Sequence, residues 1–247
     1  MKGVWVMMLF LHCALSERFN VVGPGAAVVA TSGSDVVLPC SVRRLEDQFS
    51  LSAVDMNIEW TRSDLGGALV HFYENHKDVN DGQSPDYRGR TALFTEELQN
   101  GNVSLRLSKV DLPDKGNYRC RVDSKFWQDE VLLYLRVEVI GERPEISVES
   151  FDETSEQFSL LCESKGWWPQ PDLQWLNSKG ENQTAGVLDS HRVCDLFTVK
   201  RSFTVHKNHI DTFYCRATLG EHTKEKEIKA EVFYDLLPMS TGAKAGI

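Results

Sequence analysis

The sequence predicts an all-β protein built as two antiparallel sandwiches in tandem, and three observations carry that prediction. Short runs of alternating apolar and polar residues recur along the chain; Val36, Leu38, Cys40 and Val42, for instance, share one parity and would face a core. Turn-rich stretches separate the runs, as expected of antiparallel sheets with one face in water. A cysteine, a tryptophan and a second cysteine then occur in that order twice, with the cysteines 80 positions apart in the first set and 53 in the second.

The first element is a processing segment. Lys2 precedes an apolar block, Val4 to Leu11, and Ala14 and Ser16 supply small residues at the −3 and −1 positions of a cleavage site before Glu17. Residues 1–16 therefore read as a secretory signal peptide. Export implies an oxidising compartment in which disulfides persist. Of the six cysteines, Cys13 leaves with the signal, and the remaining five are an odd number.

The first sandwich is expected over residues 25–140. After the Val36–Val42 run come Ile58 and Trp60, inward on one strand, then Tyr118 and Cys120 on another. In the last strand Val131, Leu133, Leu135, Val137 and Val139 alternate with Leu132, Tyr134, Arg136 and Glu138. Cys, Trp and Cys, with a tyrosine two residues before the second cysteine, form the hallmark of immunoglobulin domains. That resemblance implies a Cys40–Cys120 disulfide joining the sheets, Trp60 packed on it, and Tyr118 closing a tyrosine corner. Residues 63–95 leave room for the extra strands of a variable-type domain, with Ala68–Tyr73 the best candidate. Arg90 is a candidate ion-pair partner for Asp114.

Val139-Ile140-Gly141-Glu142-Arg143-Pro144 reads as a short linker. A second, shorter sandwich follows over residues 144–234, with Phe158, Leu160 and Cys162 on one face, then Leu173 and Trp175, then Phe213, Cys215 and Ala217. Ile228, Ala230 and Val232 suggest its last strand. The closer cysteine spacing suits a constant-type domain, and the hallmark here implies a Cys162–Cys215 disulfide. Position 213 is Phe where a tyrosine corner has Tyr. Closing either disulfide loop contributes roughly 4 kcal/mol on the chain-entropy view.

Several motifs are similar to one family. Phe19-Asn20-Val21-Val22-Gly23-Pro24, Asp86-Tyr87-Arg88-Gly89-Arg90-Thr91 and Lys115-Gly116-Asn117-Tyr118-Arg119-Cys120 resemble a butyrophilin variable-type domain. Cys162-Glu163-Ser164-Lys165-Gly166-Trp167-Trp168-Pro169-Gln170-Pro171, with Leu173 and Trp175 following, is similar to the Cys-x-Ser-x-Gly-Trp-x-Pro-x-Pro…Trp motif of butyrophilin constant-type domains. The resemblance covers residues 19–233. It implies a cell-surface or secreted ligand that binds a receptor on T cells and modulates T-cell activation and cytokine production. Family members normally continue into a membrane helix. The tail, residues 235–247, is too short and polar to span a bilayer, and no other apolar run after the signal approaches the length required. The expectation is either a secreted form or a chain that ends ahead of its anchor, the latter favoured by the arbitrary look of the tail.

Other classes fare poorly. With 36 acidic and 27 basic residues and no basic cluster, the chain lacks the electrostatic footprint of a nucleic-acid binder. It carries no Gly-x-Ser-x-Gly, His-Glu-x-x-His, phosphate loop or Cys-x-x-Cys, so neither an enzyme nor a cofactor is expected. His206 and His209 are three apart, which on a strand puts them on opposite faces, so no metal site is expected. Val131–Val139 contains no glycine, which argues against an antigen-receptor chain with its Phe-Gly-x-Gly bulge. A homophilic adhesion module is the alternative that the same architecture supports.

Two Asn-x-Ser/Thr sequons mark Asn102 and Asn182 as glycosylation sites, with Asn102 and Ser104 expected to face solvent opposite Val103, Leu105 and Leu107. For the partner face, Phe126 and Trp127 in the loop Asp123–Glu130 are the leading candidates, with at least one ring expected in solvent. His71, Tyr73 and Tyr134 would extend that patch. Cys194 is the odd cysteine. Exposed, it could join two chains in a disulfide-linked homodimer; its place beside Val193 and ahead of the strand-like Leu196–Val205 favours burial as a small apolar side chain.

Overall fold

The computed structural model describes residues 18–233, 235 and 236. The expected signal peptide and most of the 235–247 tail lie outside the described residues. The chain divides into two compact units that meet between Arg136 and Val137.

The first unit contains β1 (Phe19–Val22), β2 (Val28–Thr31), β3 (Val36–Leu38), β4 (Ser41–Arg44), β5 (Asn57–Arg62), β6 (Ala68–Glu74), β7 (Lys77–Asp78), β8 (Thr91–Leu93), β9 (Leu105–Leu107), β10 (Gly116–Asp123) and β11 (Gln128–Glu138), the last strand running two residues past the division. One layer is a six-stranded sheet in the order β2-β11-β10-β5-β6-β7; the other holds β3-β9-β8 and the pair β1-β4. The strands expected between residues 63 and 95 are therefore present as β6, β7 and β8, and β6 and β7 extend the sheet of β5 as in a variable-type domain.

Alternation builds the core. Leu38, Cys40, Val42, Ile58, Trp60, Leu105, Leu107, Tyr118, Cys120, Val122, Leu133 and Leu135 are all buried, each a residue whose parity turns it between the layers. Cys40 and Cys120 form a disulfide across the sandwich, and the Trp60 indole donates to the Val103 carbonyl at 3.2 Å.

At one end of this unit lies a buried polar network. The Tyr118 hydroxyl donates to the Asp114 carbonyl at 2.8 Å, closing the tyrosine corner, and lies 3.1 Å from the Tyr87 hydroxyl. Beneath it the Arg62 guanidinium, itself buried, donates to Tyr87 Oη at 2.7 Å, to the Pro113 and Lys115 carbonyls at 3.2 and 2.8 Å, and to both Asp64 oxygens at 2.9 Å. Burial alone would lower the Arg62 pKa, but the Asp64 bonds and the two tyrosine hydroxyls outweigh it and hold the group above its ordinary value. Burial acts the other way on the Tyr118 phenol and holds it well above its usual range. Arg90 pairs with buried Asp114, Nη1 to Oδ1 at 3.2 Å, as expected, and Asp114 also accepts the Asp111 amide at 2.8 Å.

The second unit contains β12 (Glu145–Asp152), β13 (Gln157–Trp167), β14 (Asp172–Leu176), β15 (Asp189–Val193), β16 (Leu196–His206), β17 (Thr212–Leu219) and β18 (His222–Lys229). A four-stranded sheet, β12-β13-β16-β15, faces a three-stranded one, β14-β17-β18, which is the strand grouping of a constant-type domain. Cys162 and Cys215 form its disulfide. Around that bond pack Phe158, Trp175, Phe203, Phe213 and Phe233, with Phe203 and Phe213 ring centroids 5.0 Å apart.

Two expectations need correction here. The last strand stops at Lys229: Ala230–Val232 form a 3-10 turn that delivers Phe233 to the core and leaves Val232 partly exposed. Residues 139–144 are no free linker either. Val139 and Trp168 exchange backbone hydrogen bonds of 2.8 and 3.0 Å, and the Glu142 amide donates to the Lys165 carbonyl at 2.8 Å. Gly141 lies so near the Trp167 indole and the Lys165 carbonyl that any Cβ there would collide, which is why the position is glycine.

Candidate partner-binding face

The outer surface of the six-stranded sheet is set by register. Residues directly opposite each other in an antiparallel pair lie on one side. Across β11, β10, β5 and β6 the outward rows are Tyr134 with Asn117, Leu132 with Arg119, Glu130 with Arg121, Glu59 and Phe72, and Gln128 with Asp123, Asn57 and Glu74. Leu132 is 58% exposed and Tyr134 is 43% exposed. Charge alternates around them: Arg121 Nε lies 3.0 Å from Asp123 Oδ2, and Arg119 Nε lies 3.7 Å from Glu130 Oε1. That Arg119 nitrogen is shielded from water and has no hydrogen-bond partner among the described residues, a condition that costs free energy.

The β10–β11 turn ends this surface. The Ser124 amide donates to the Trp127 carbonyl at 2.8 Å and the Trp127 amide donates to Ser124 Oγ at 3.0 Å, closing a four-residue hairpin. Phe126 stands 66% exposed at its tip. Trp127 folds back: its indole donates to the Phe19 carbonyl at 2.9 Å and the Arg18 guanidinium stacks on its ring, so it anchors β1 and is half-buried. Asp129 reinforces that anchor by accepting the Val21 amide at 2.7 Å.

His71 and Tyr73 do not belong to this face. Both are buried, His71 at 3% exposure. β6 pairs His71 with Trp60 and Tyr73 with Ile58, so they share the inward side, and Phe72 is the β6 residue that faces out with Glu59. His71 bridges Thr91 Oγ1 at 3.0 Å and Asp78 Oδ1 at 3.1 Å, at the floor of a polar cleft of about 340 Å³ also lined by Gln83 and Arg88. Burial lowers the His71 pKa, with Asp78 opposing.

Four further positions complete the account. Ser104 is buried, against expectation, because its hydroxyl serves the Cys40 backbone where the chain passes from β3 to β4. Asn182 and Thr184 are exposed. Cys194 is exposed and free, which reverses the reading of it as buried. Cys194 and Asp195, both at positive φ, form the two-residue turn that pairs Val193 with Leu196, and such turn side chains project away from the sheet. Leu132, Phe72 and Arg119 were not singled out from the sequence. Leu132 shares the outward parity of Tyr134, a signal that was present.

These features define a two-domain immunoglobulin protein, variable-type then constant-type. Residues 23–136 match the model of the immunoglobulin V-set domain, and residues 140–227 match that of the butyrophilin subfamily 3 member A2-like Ig-C domain. Butyrophilin subfamily 1 member A1 of Homo sapiens is 32% identical over 234 residues, covering 92% of this chain and 42% of that protein. The Bos taurus protein of the same name is 30% identical over 233 residues, with the same two coverages. The crystal structure of bovine butyrophilin superposes with a TM-score of 0.73 at 27% identity, over 85% of this chain and 98% of that one. The chain belongs to the butyrophilin-like immunoglobulin family. It spans less than half the length of the curated relatives it matches. The family and its fold are non-enzymatic and of the immune-receptor type. No helix among the described residues is long and apolar enough to cross a membrane.

Proposed function

We propose that the chain is an extracellular ligand whose variable-type domain binds a receptor on T cells through the outer face of β11, β10, β5 and β6, and so modulates T-cell activation and cytokine production. One observation carries the reading: Leu132, Tyr134 and Phe126 stand in solvent along one strand and its turn, beside Arg119 and Arg121. Exposed apolar and aromatic side chains with interleaved arginine make up the composition of interface hot spots, and an arginine nitrogen without a hydrogen bond gains one when a carboxylate or carbonyl arrives. Family membership supplies the T-cell context.

The test is binding of the labelled ectodomain to T cells. Leu132→Ala with Tyr134→Ala should weaken binding about tenfold or more, as loss of a hot-spot pair does, with the thermal transition unchanged because both side chains already face water. Unchanged binding would remove this face from the proposal. Aggregation of ectodomain-coated beads without T cells would favour homophilic adhesion instead.

A further inference from the structure

The two sequons lie in unlike structural settings, and the difference bears on when each can be modified. In Asn102-Val103-Ser104 most polar groups are already committed to the fold. Val103 is fully buried and its amide donates to the Cys40 carbonyl at 3.0 Å. The Ser104 hydroxyl donates to that same carbonyl at 3.2 Å and accepts the Cys40 amide at 3.0 Å. The Ser104 amide donates to Asn102 Oδ1 at 3.0 Å, and Asn102 Nδ2 donates to the Glu97 carboxylate. Cys40, whose backbone takes part in three of these five bonds, is locked to Cys120. In Asn182-Gln183-Thr184 the backbone of Asn182 lies in a single β-bridge opposite Leu176, and Gln183 is tied by its amide to the Trp175 carbonyl at 2.8 Å and by its side chain to the Glu181 carbonyl at 2.9 Å, while Asn182 and Thr184 are exposed.

We propose that Asn102 accepts a glycan only before the first sandwich closes, that Asn182 accepts one before or after folding, and that the Cys40–Cys120 disulfide ends the Asn102 window. The transfer needs the asparagine nitrogen and the hydroxyl two residues on together in one enzyme cleft. The nitrogen bonds to C1 of an oligosaccharide carried on a lipid diphosphate. The C1–oxygen bond to phosphate breaks, one amide proton is lost, and the lipid diphosphate leaves. A Ser104 hydroxyl held between the amide and carbonyl of Cys40 cannot be offered to that cleft unless the strand layer opens, and opening of core strands is the rarest local unfolding event. Forming the disulfide passes two electrons and two protons from the thiols to a donor disulfide, and thereafter the open state is rarer still.

Chain order fits this timing. Residue 102 enters an export compartment ahead of Cys120, so the sequon is presented before the disulfide exists. That interval is short, lasting only until Cys120 follows and the bond closes, which leaves Asn102 partly occupied in the unaltered chain. An attached glycan is compatible with the finished fold: the substituted Nδ2 keeps one hydrogen for Glu97, and Oδ1 still accepts from Ser104. The inference rests on the export expected of residues 1–16 and is independent of the receptor reading.

The test follows each site against itself, so the difference between a Ser and a Thr sequon drops out. The full chain is pulse-labelled in mammalian cells, with Asn102→Gln and Asn182→Gln assigning the glycosidase-sensitive bands. Dithiothreitol during synthesis, or Cys120→Ser, should raise Asn102 occupancy above its level in the unaltered chain and leave Asn182 unchanged. Cys215→Ser, which opens only the second disulfide, should leave Asn102 as in the unaltered chain. Full Asn102 occupancy without reductant, no response to Cys120→Ser, or an equal response to Cys215→Ser would each overturn the inference. Absence of glycan on both asparagines would overturn the export on which it rests.

Discussion

The two sandwiches solve the same problem at their bases with opposite chemistry. Two residues before the second cysteine, the first has Tyr118 and the second Phe213, both buried. Two residues after the core tryptophan, the first has Arg62 and the second Asn177. Arg62 turns inward and ties Tyr87, Tyr118 and the 113–115 backbone together. Asn177 turns to its own loop, accepting the Lys179 and Glu181 amides at 3.0 and 2.9 Å, and Phe213 is left among Phe203, Phe233 and His209. Hydrogen bonds to a buried cation specify one end of the first sandwich, and aromatic packing fills the same place in the second. The disulfide and the tryptophan are therefore the shared requirement of the fold, while the corner is replaceable.

The largest test of that contrast is Arg62→Met. Removing one member of a buried charged network leaves the others desolvated and unpaired, at a cost of about 3–5 kcal/mol. Hydrogen exchange should show β10 amides losing protection by that amount and β17 amides unchanged. Equal loss in both strands would show that the two units unfold together. Next is the exchange of corner residues. Phe213→Tyr places a hydroxyl in an aromatic cluster and should cost roughly 1–3 kcal/mol in the second unit. If it stabilises instead, the hydroxyl has found a carbonyl without any cation, and the two bases differ less than their residues suggest. Tyr118→Phe should cost about 1 kcal/mol, the net value of its bond to Asp114, because Arg62 still serves that carbonyl.

Much of this was legible in the sequence, for a definite reason. The Cys, Trp and Tyr spacings and the Arg90–Asp114 pair are local signals of a fold whose core repeats every second residue. What stayed hidden depends on register. Residues 68–74, Ala-Leu-Val-His-Phe-Tyr-Glu, are apolar or aromatic on both parities, so only pairing with Ile58 and Trp60 decides that His71 and Tyr73 turn in and Phe72 turns out. Arg62 shares the parity of Ile58 and Trp60 and could have been found by following that alternation one step further, past the prior that arginine faces water. Ser104 precedes β9 rather than belonging to it, so strand parity did not apply; its burial answers a need of the Cys40 backbone. Cys194 was expected to be buried beside Val193, whereas it occupies the exposed turn between two strands.

The smallest effect separates the units by pH. His71 is buried between Thr91 and Asp78, and its folded pKa lies below the ordinary value because burial disfavours the imidazolium more than Asp78 favours it. The unfolded chain therefore binds a proton at a higher pH than the folded one. The stability contributed by neutral His71 is fully present above the unfolded histidine value and is lost as pH falls from about 6.5 through the lower folded value, with a slope no steeper than that of one proton, about 1.4 kcal/mol per pH unit. Asp64 in the first unit and Asp152, Glu156 and Asp211 in the second are held below the ordinary carboxylate range, Asp64 by its Arg62 bonds, and so exert their own loss at lower pH. Within that window β10 amides should lose protection in the native chain and keep it in His71→Asn. A slope that survives the substitution would assign the proton to another group and leave the His71 bridge a purely structural tie between β6, β7 and β8.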